Sequence, residues 1–363
     1  MSGLRLTRRA ALRGAGALAL ATACAPATTG GGPTAAPTAA ATGPAATAAA
    51  TRPPVTDFNW LFGFTIQANP SMPVIVAREK GYYDEQGIDI TWDFTTTSAG
   101  IRLIGTNQYQ AGSVSDARTV ANFVKEGIPL KVVVQQGQNT ARGFASRKGE
   151  GITSPKDWAG KKVGVKGGEP WTEYLALLAA NNVERSSVTE VPIGFSSVEL
   201  KEKIIDVLPI FLGNEPYHLQ TNLKQEIDII EPKDHGVDTT GTVMVANTQY
   251  TSQNRDEFIR FLKATMRGQE YMADAANRTE IIQMAVQYGG TATTRGAHEF
   301  IYDFTRPDLV HPNGVGWLDK ARWQKDLDTL KELGIMPDPP AVDQIVDDTF
   351  MKEILKDGKV VWP

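Results

Sequence analysis

The fold is decided by residues 58–94, FNWLFGFTIQANPSMPVIVAREKGYYDEQGIDITWDF. Aromatic residues occupy alternate positions from Phe58 to Phe64, and this period of two predicts a strand. A polar loop follows, and then an apolar run, 74–77, with prolines where a first helical turn tolerates them. The residues of 88–94 alternate again and predict a second strand.

A strand, a helix and a strand of these lengths predict a βαβ unit with a parallel sheet and a right-handed crossover. Ligands of such sheets bind beyond the carboxyl ends of the strands. The loop 64–71 lies at such an end and is therefore the first candidate site. It offers the ring of Phe64 and the amides of Gln67 and Asn69.

Length and composition narrow the possible classes. The chain has 363 residues, enough for two domains of about 100–200 residues each. A net charge of -4 gives no basic footprint, so no nucleic-acid partner is predicted. The single cysteine, Cys24, allows neither a disulfide framework nor a cysteine metal site within one chain. The four histidines are widely spaced, and no metal site is predicted.

Residues 1–23 predict an export signal. Several arginines precede a short apolar stretch, 14–23, which is too short to span a bilayer as a helix. The residues Thr7-Arg8-Arg9 resemble a twin-arginine signal. Small residues then precede Cys24, as in a bacterial lipobox, and predict lipidation of that cysteine. A simple cleaved signal with an incidental cysteine is the alternative.

Residues 24–56 predict a flexible tether. Nearly all of them are Ala, Thr, Pro or Gly, which cannot bury enough apolar surface to fold. A lipid on Cys24 would hold the following body at the outer face of a membrane.

In the rest of the chain, predicted strands and helices alternate as in α/β proteins. Three further segments at predicted strand ends supply candidate binding residues. They are Ser113 and Asp116, then Glu169 and Trp171 after the glycine turn 167–168, and finally Asn214, Glu215 and Tyr217. A glycine turn that opens a helix presents free N–H groups to a ligand. A purely structural role is an equal alternative to ligand binding for two of these residues. Trp171 could pack in the core, and Asn214 could cap a helix.

From Ser252 onward the chain is predicted to be helical. The expected helices are 256–275, 278–288, 294–304, 318–333 and 342–356. Tyr302, Phe304 and Trp317 lie near helix ends and could reach a cleft, although aromatic residues at such spacings are more often part of a core.

Five segments resemble the periplasmic solute-binding proteins of ABC importers. The nearest branch is the thiamine-pyrimidine-synthesis-like one, which includes carriers of thiamine pyrimidine precursors and of riboflavin. Sulfonate, taurine and nitrate binders are more distant. The segments are EKGYY at 79–83, GIDI at 87–90, WAGKKVGV at 158–165, NEP at 214–216 and GWLD at 316–319.

The resemblance implies the two-lobed, type II periplasmic-binding-protein fold of the α/β class. It places 57–148 and 242–363 in lobe one and 149–241 in lobe two, with the ligand between lobes that close by hinge motion. An ABC permease and ATPase would be the partners, at the extracytoplasmic face of the cell membrane. The resemblance implies no catalytic residue and no cofactor.

The candidate residues favour a flat heteroaromatic ligand. Phe64, Trp171 and Tyr217 would stack on it, each pair adding about 0.5–1.5 kcal/mol beyond burial. The polar edge would be read by Gln67, Asn69, Asp116, Glu169, Asn214 and Glu215. This set suits riboflavin or a thiamine pyrimidine precursor better than a sulfonate, taurine or nitrate. Arg118 and Arg142 keep an anionic ligand as the alternative.

Two other functions remain open. A related branch synthesises the pyrimidine of thiamine, but the cysteine-rich run that marks that branch is absent here. A sensor could use the same cleft to present a closed shape to a partner, and the sequence does not separate sensing from transport.

Overall fold

The computed structural model describes residues 53–114, 117–166, 169–194 and 196–363, excluding the side chains at 97, 117, 118, 169 and 292. The predicted signal, almost all of the predicted tether and Cys24 therefore lie outside the described residues. The same is true of Asp116 and of the side chains of Glu169 and Arg118.

In the described part of the chain, the strands form two five-stranded sheets and one hairpin. They are β1 Thr56–Phe62, β2 Ile88–Phe94, β3 Ala111–Val114, β4 Leu130–Gln135, β5 Arg142–Arg147, β6 Lys162–Val165, β7 Thr189–Pro192, β8 Val207–Phe211, β9 Ile227–Ile230, β10 Val243–Asn247, β11 Leu355–Lys356 and β12 Lys359–Val360.

Helices cover both sheets. They are α1 Pro73–Glu79, α2 Tyr82–Glu85, α3 Thr97–Gly105, α4 Ala117–Lys125, α5 Glu169–Ala180, α6 Val198–Lys201, α7 Glu215–Tyr217, α8 Thr248–Gln253, α9 Arg255–Ala273, α10 Arg278–Gly289, α11 Arg295–Thr305, α12 Lys320–Glu332, α13 Val342–Ile345 and α14 Thr349–Ile354. Within the described part of the chain, no helix combines the length and the apolar character needed to cross a bilayer.

The predicted βαβ unit is confirmed. Strands β1 and β2 pair in parallel over their whole length, and α1 connects them. The alternating aromatic residues of β1 face α9, where the ring centroids of Phe58 and Phe261 are 3.8 Å apart. Leu61 points to the opposite face and packs near Ile101 of α3. The side chains of Phe58, Trp60 and Phe62 are fully buried, and the burial of each contributes roughly 1.5–3 kcal/mol.

Both sheets have the same topology. The first has the order β2-β1-β3-β10-β4, and the second has the order β7-β6-β8-β5-β9. In each sheet one strand next to the edge runs antiparallel: β10 returns from the second sheet, and β5 comes from the first. The chain thus crosses between the sheets twice, around 136–141 and 238–242, where Asn139 and Thr240 form an antiparallel bridge.

The position of β5 corrects the expected lobe boundary. The family resemblance implied a first lobe that includes residues up to 148, whereas β5, Arg142–Arg147, pairs with β8 and β9 of the second sheet. The run 142–147 is buried along its length, so its composition suits the centre of either sheet.

The expected last helix, 342–356, is also wrong. The structure has two short helices, α13 and α14, followed by the hairpin of β11 and β12. Between the helices, Val346 forms a parallel bridge with Val132 of β4. The N–H of Asp347 donates to the Val132 carbonyl oxygen at 2.9 Å. This pairing with the edge strand holds Val346 and Asp347 in an extended conformation, so a helix cannot continue through them.

Candidate functional site

A cavity of about 520 Å³ lies where the chain leaves β1 and β8. These two strands belong to different sheets, and both end toward the cavity. Six of the sequence-predicted residues line it: Phe64, Gln67, Asn69, Asn214, Glu215 and Tyr217. The structure therefore brings the two strand-end segments together, as the rule for α/β sheets requires. Whether these six residues contact a ligand stays a prediction.

The segment after β1 is held in place by its own amides. The side-chain oxygen of Asn69 accepts hydrogen bonds from the N–H and the hydroxyl of Ser71, at 3.1 and 2.7 Å. The amide of Gln67 donates to the hydroxyl of Thr293 at 3.3 Å, which ties this segment to the start of α11. Phe64 lies beyond the end of β1 and lines the cavity half-buried.

Glu215 is a buried carboxylate in the segment after β8. One of its oxygens accepts the N–H of Phe211 at 2.8 Å, and the other lies 3.8 Å from the Nζ of Lys166. Lys166 in turn donates to the carbonyl oxygen of Pro209 at 3.0 Å. Burial raises the pKa of Glu215, and the nearby ammonium of Lys166 counteracts that rise. The negative charge of Glu215 at this wall of the cavity is thus partly compensated by the ammonium of Lys166.

Two of the predicted residues lie elsewhere. Trp171 packs against the core of the second sheet, with its ring centroid 5.5 Å from that of Tyr174 and the guanidinium of Arg185 4.6 Å above its ring. Ser113 is buried and donates to the side-chain oxygen of Gln136 at 2.8 Å. Neither residue lines the cavity, because the helix or strand that carries each one turns it toward neighbouring elements.

Arg142, the basis of the anionic alternative, also lies outside this cavity. Its guanidinium lies 4.6 Å from the ring centroid of the lining residue Phe211, and Arg142 lines a smaller neighbouring cavity of about 220 Å³ instead. Among the described lining residues there is neither a lysine nor an arginine, and Glu215 is the one carboxylate. A negatively charged ligand would therefore meet no lysine or arginine side chain among the described lining residues.

The sequence missed the wall formed by α11. Residues at the start of this helix and on one face of it line the cavity: Thr293, Thr294, Ala297, Ile301, Phe304 and Thr305. Of these residues, Phe304 was noted in the sequence, because it is aromatic and lies near a predicted helix end. Tyr302, which had the same signal, is buried and donates to the carbonyl oxygen of Met272 at 3.0 Å. Which face of a helix meets a cleft depends on how the helix docks, and local sequence does not record this.

Two five-stranded α/β sheets, joined by two crossings and with a cavity at their strand ends, define a class: the two-lobed fold of periplasmic binding proteins. Within that class, the sequence model of the family described as NMT1/THI5 like matches residues 69–278, more than half of the chain. The chain belongs to the NMT1/THI5-like family.

The chain is also similar to curated relatives and, in its fold, to solved structures. The riboflavin-binding protein RibY of Chloroflexus aurantiacus is 26% identical over 300 residues, covering 77% of this chain and 82% of RibY. The 4-amino-5-hydroxymethyl-2-methylpyrimidine phosphate synthase THI11 of Saccharomyces cerevisiae is 24% identical over 214 residues, covering 55% and 63%. The periplasmic sulfonate-binding protein SsuA of Methylobacillus flagellatus superposes with a TM-score of 0.64 at 17% identity, covering 82% and 93%.

Proposed function

We propose that this protein is the exported binding subunit of an ABC importer and captures a flat, uncharged heteroaromatic compound, with riboflavin as its ligand. The observation that carries the proposal is a cavity of about 520 Å³ that joins aromatic rings and amides from both sheets, with no lysine or arginine among its described lining residues. The family and the similarity to RibY support the same ligand class.

The size of the cavity favours the larger of the candidate ligands. At about 30 Å³ for each water molecule, a volume of about 520 Å³ would hold roughly 17 waters. That is ample for a fused ring system with a hydroxylated chain. A single pyrimidine, taurine or nitrate would leave much of the space to water.

The chemistry of the walls also fits this ligand. Phe64, Tyr217 and Phe304 offer ring faces, whereas Gln67 and Asn214 offer amide donors and acceptors. Sulfonates and nitrate are recognised best by guanidinium groups or by several free N–H groups. The described walls supply a buried carboxylate instead.

Titration of the purified protein tests the ligand class. Riboflavin fluorescence should be quenched on binding, because stacked aromatic rings contact the flavin. An aminopyrimidine precursor of thiamine, taurine and nitrate serve as the comparison panel in a thermal-shift assay. Stabilisation by taurine or nitrate, with none by riboflavin or the pyrimidine, would reject the proposed class.

We also propose that the ligand is released unchanged. The similarity to the THI11 synthase makes catalysis the competing function. The chain contains one cysteine, Cys24, and lacks the cysteine-rich run of that enzyme branch. Mass spectrometry after prolonged incubation with riboflavin or the pyrimidine precursor should recover only the compound that was added. A new product that forms in proportion to protein concentration would favour the enzyme.

We propose that the chain is exported and anchored through a lipid on Cys24. The motivation is the arginine-rich and apolar stretch 1–23 followed directly by the cysteine. A fatty-acid label fed to expressing cells should appear on the parent protein and not on a Cys24→Ser variant. Labelling of both proteins, or of neither, would contradict the anchor.

A further inference from the structure

Two contacts between an aromatic ring and a glycine cross the cleft. The first joins Tyr217, which follows β8, to Gly296 in the first turn of α11. A Cβ atom at Gly296 would lie 2.5 Å from the hydroxyl oxygen of Tyr217 and 3.3 Å from its Cζ. The ring of Tyr217 also lies 5.8 Å, centroid to centroid, from that of Phe300, one turn further along α11.

The second contact runs in the opposite sense. Phe304, near the end of α11, packs on Gly213, which follows β8. A Cβ atom at Gly213 would lie 2.9 Å from Cδ1 of the Phe304 ring. Real Cβ atoms do not approach other atoms this closely, so the position is closed to any side chain unless the ring moves.

The two contacts are reciprocal. Each glycine leaves a notch, the space that a side chain would fill. The segment after β8 contributes the ring of Tyr217 and the notch at Gly213, whereas α11 contributes the ring of Phe304 and the notch at Gly296. Residues of α11 pack in the core of the first sheet, as Ile301 shows, so each contact joins one sheet's side of the cleft to the other. Tyr217, Gly213 and Phe304 also line the cavity.

We propose that Gly213 and Gly296 determine ligand specificity by fixing the width of the closed cleft. The proposal rests on the binding function argued above. Among the described residues the walls meet directly at Gly213 and at Gly296, so contacts within the protein set their separation. A ligand must then be thin enough to fit between the walls while the rings of Phe304 and Tyr217 still occupy both notches. A single aromatic plane is thin enough. A methyl group at Gly213 would press on the Phe304 ring and one at Gly296 on the Tyr217 hydroxyl, so each would widen the cleft unless the ring turned aside.

The experiment uses Gly296→Ala and Gly213→Ala in the full chain. Gly194→Ala is the matched control, because a Cβ at Gly194 would meet nothing within 4 Å. Spin labels on Gln287→Cys and Glu202→Cys, both at exposed positions, report the distance across the cleft once Cys24 is replaced by serine. The readouts are the shortest distance that each protein populates, with and without riboflavin, and the riboflavin affinity of each unlabelled variant.

We expect both cleft variants to lose the shortest distances and to bind riboflavin about tenfold more weakly or worse, as overpacking of a close contact implies. The control should match the parent. The double variant Gly296→Ala/Tyr217→Phe lacks the hydroxyl that meets the new methyl group, and it should regain part of the short distances. Thermal melting confirms that each variant is folded.

Parental distances and parental affinity in both glycine variants would overturn the proposal, as would an equal lengthening in the Gly194→Ala control. If the cleft variants lengthen the distance but riboflavin does not bind the parent, the width-setting contacts stand and the proposed ligand fails. The distances therefore test the contacts separately from the ligand.

Discussion

The guanidinium of Arg322 lies 3.0 Å from the carboxylate of Asp238 and donates to the carbonyl oxygen of Gln138 at 2.7 Å. It also donates to the side-chain oxygen of Asn139 at 2.9 Å. Gln138 and Asn139 belong to the first crossing between the sheets, and Asp238 lies at the second. One side chain on α12 therefore holds both connections about which the sheets would move.

Replacement of Arg322 by lysine should destabilise the protein. Lysine keeps the charge but loses the planar fork that serves several acceptors at once. We expect the free energy of unfolding to fall by about 1–2 kcal/mol, measured by urea denaturation. Arg295→Lys is the matched control, because Arg295 pairs with Glu299 at an exposed site, where about 0.5 kcal/mol or less is expected. Equal losses in the two variants would contradict this role for Arg322.

Asp308 should make stability depend on pH in the acidic range. Its carboxylate accepts the N–H and the side-chain amide of Asn139, at 3.0 and 2.6 Å. Burial raises the pKa of Asp308 from 3.8 to about 6. Between those pH values the folded protein holds a proton that the unfolded chain has released, so stability falls as the pH rises.

The Asp308→Asn variant should lack this component. We expect the fall in unfolding free energy between about pH 4 and about pH 6 to be about 1–3 kcal/mol larger in the parent than in the variant. Urea denaturation across this range measures the difference. Parallel pH profiles for the two proteins would show that Asp308 ionises at its ordinary pKa.

His298 should act in the opposite direction. It is fully buried, and neither ring nitrogen has a hydrogen-bond partner among the described residues. Burial lowers its pKa below the ordinary 6.5, so on acidification the unfolded chain takes up the proton first and stability is lost. The parent should lose up to about 1.4 kcal/mol more than a His298→Leu variant at about pH 5.5, compared with about pH 7.5. Equal losses of unfolding free energy in the two proteins would show that a nearby group stabilises the protonated His298 ring in the folded state.

The first βαβ unit and the positions of most strands could be predicted because a period of two is a local property of the sequence. The sheet to which a strand belongs is not local. The run 142–147 was placed in the wrong lobe because nothing within it specifies pairing with β8 and β9.

The candidate site divides in the same way. Phe64 and Glu215 follow strands, and the strand-end rule placed both beside one cavity. Trp171 stands at the start of a helix, and the rotation of that helix turns its ring toward Tyr174. The wall formed by α11 depends on contacts between residues far apart in the chain, such as that of Gln67 with Thr293.

The charge of the cavity predicts discrimination against a phosphorylated ligand. Glu215 is buried at the wall, and the described lining offers no lysine or arginine to a phosphate. An unpaired anion transferred to such a site loses its hydration without compensation. We therefore expect riboflavin phosphate to bind at least about tenfold more weakly than riboflavin, a difference of about 1.4 kcal/mol, in a fluorescence-quenching titration.

A Glu215→Gln variant keeps a side-chain oxygen for the N–H of Phe211 while removing the negative charge. The substitution also removes the carboxylate charge that lies 3.8 Å from the ammonium of Lys166. The difference in affinity between the two flavins should therefore shrink, because the side chain at 215 no longer repels the phosphate. Equal affinity of the parent for both flavins would show that the phosphate stays in solvent, outside the cavity. An unchanged difference in the variant would show that Glu215 does not cause the discrimination.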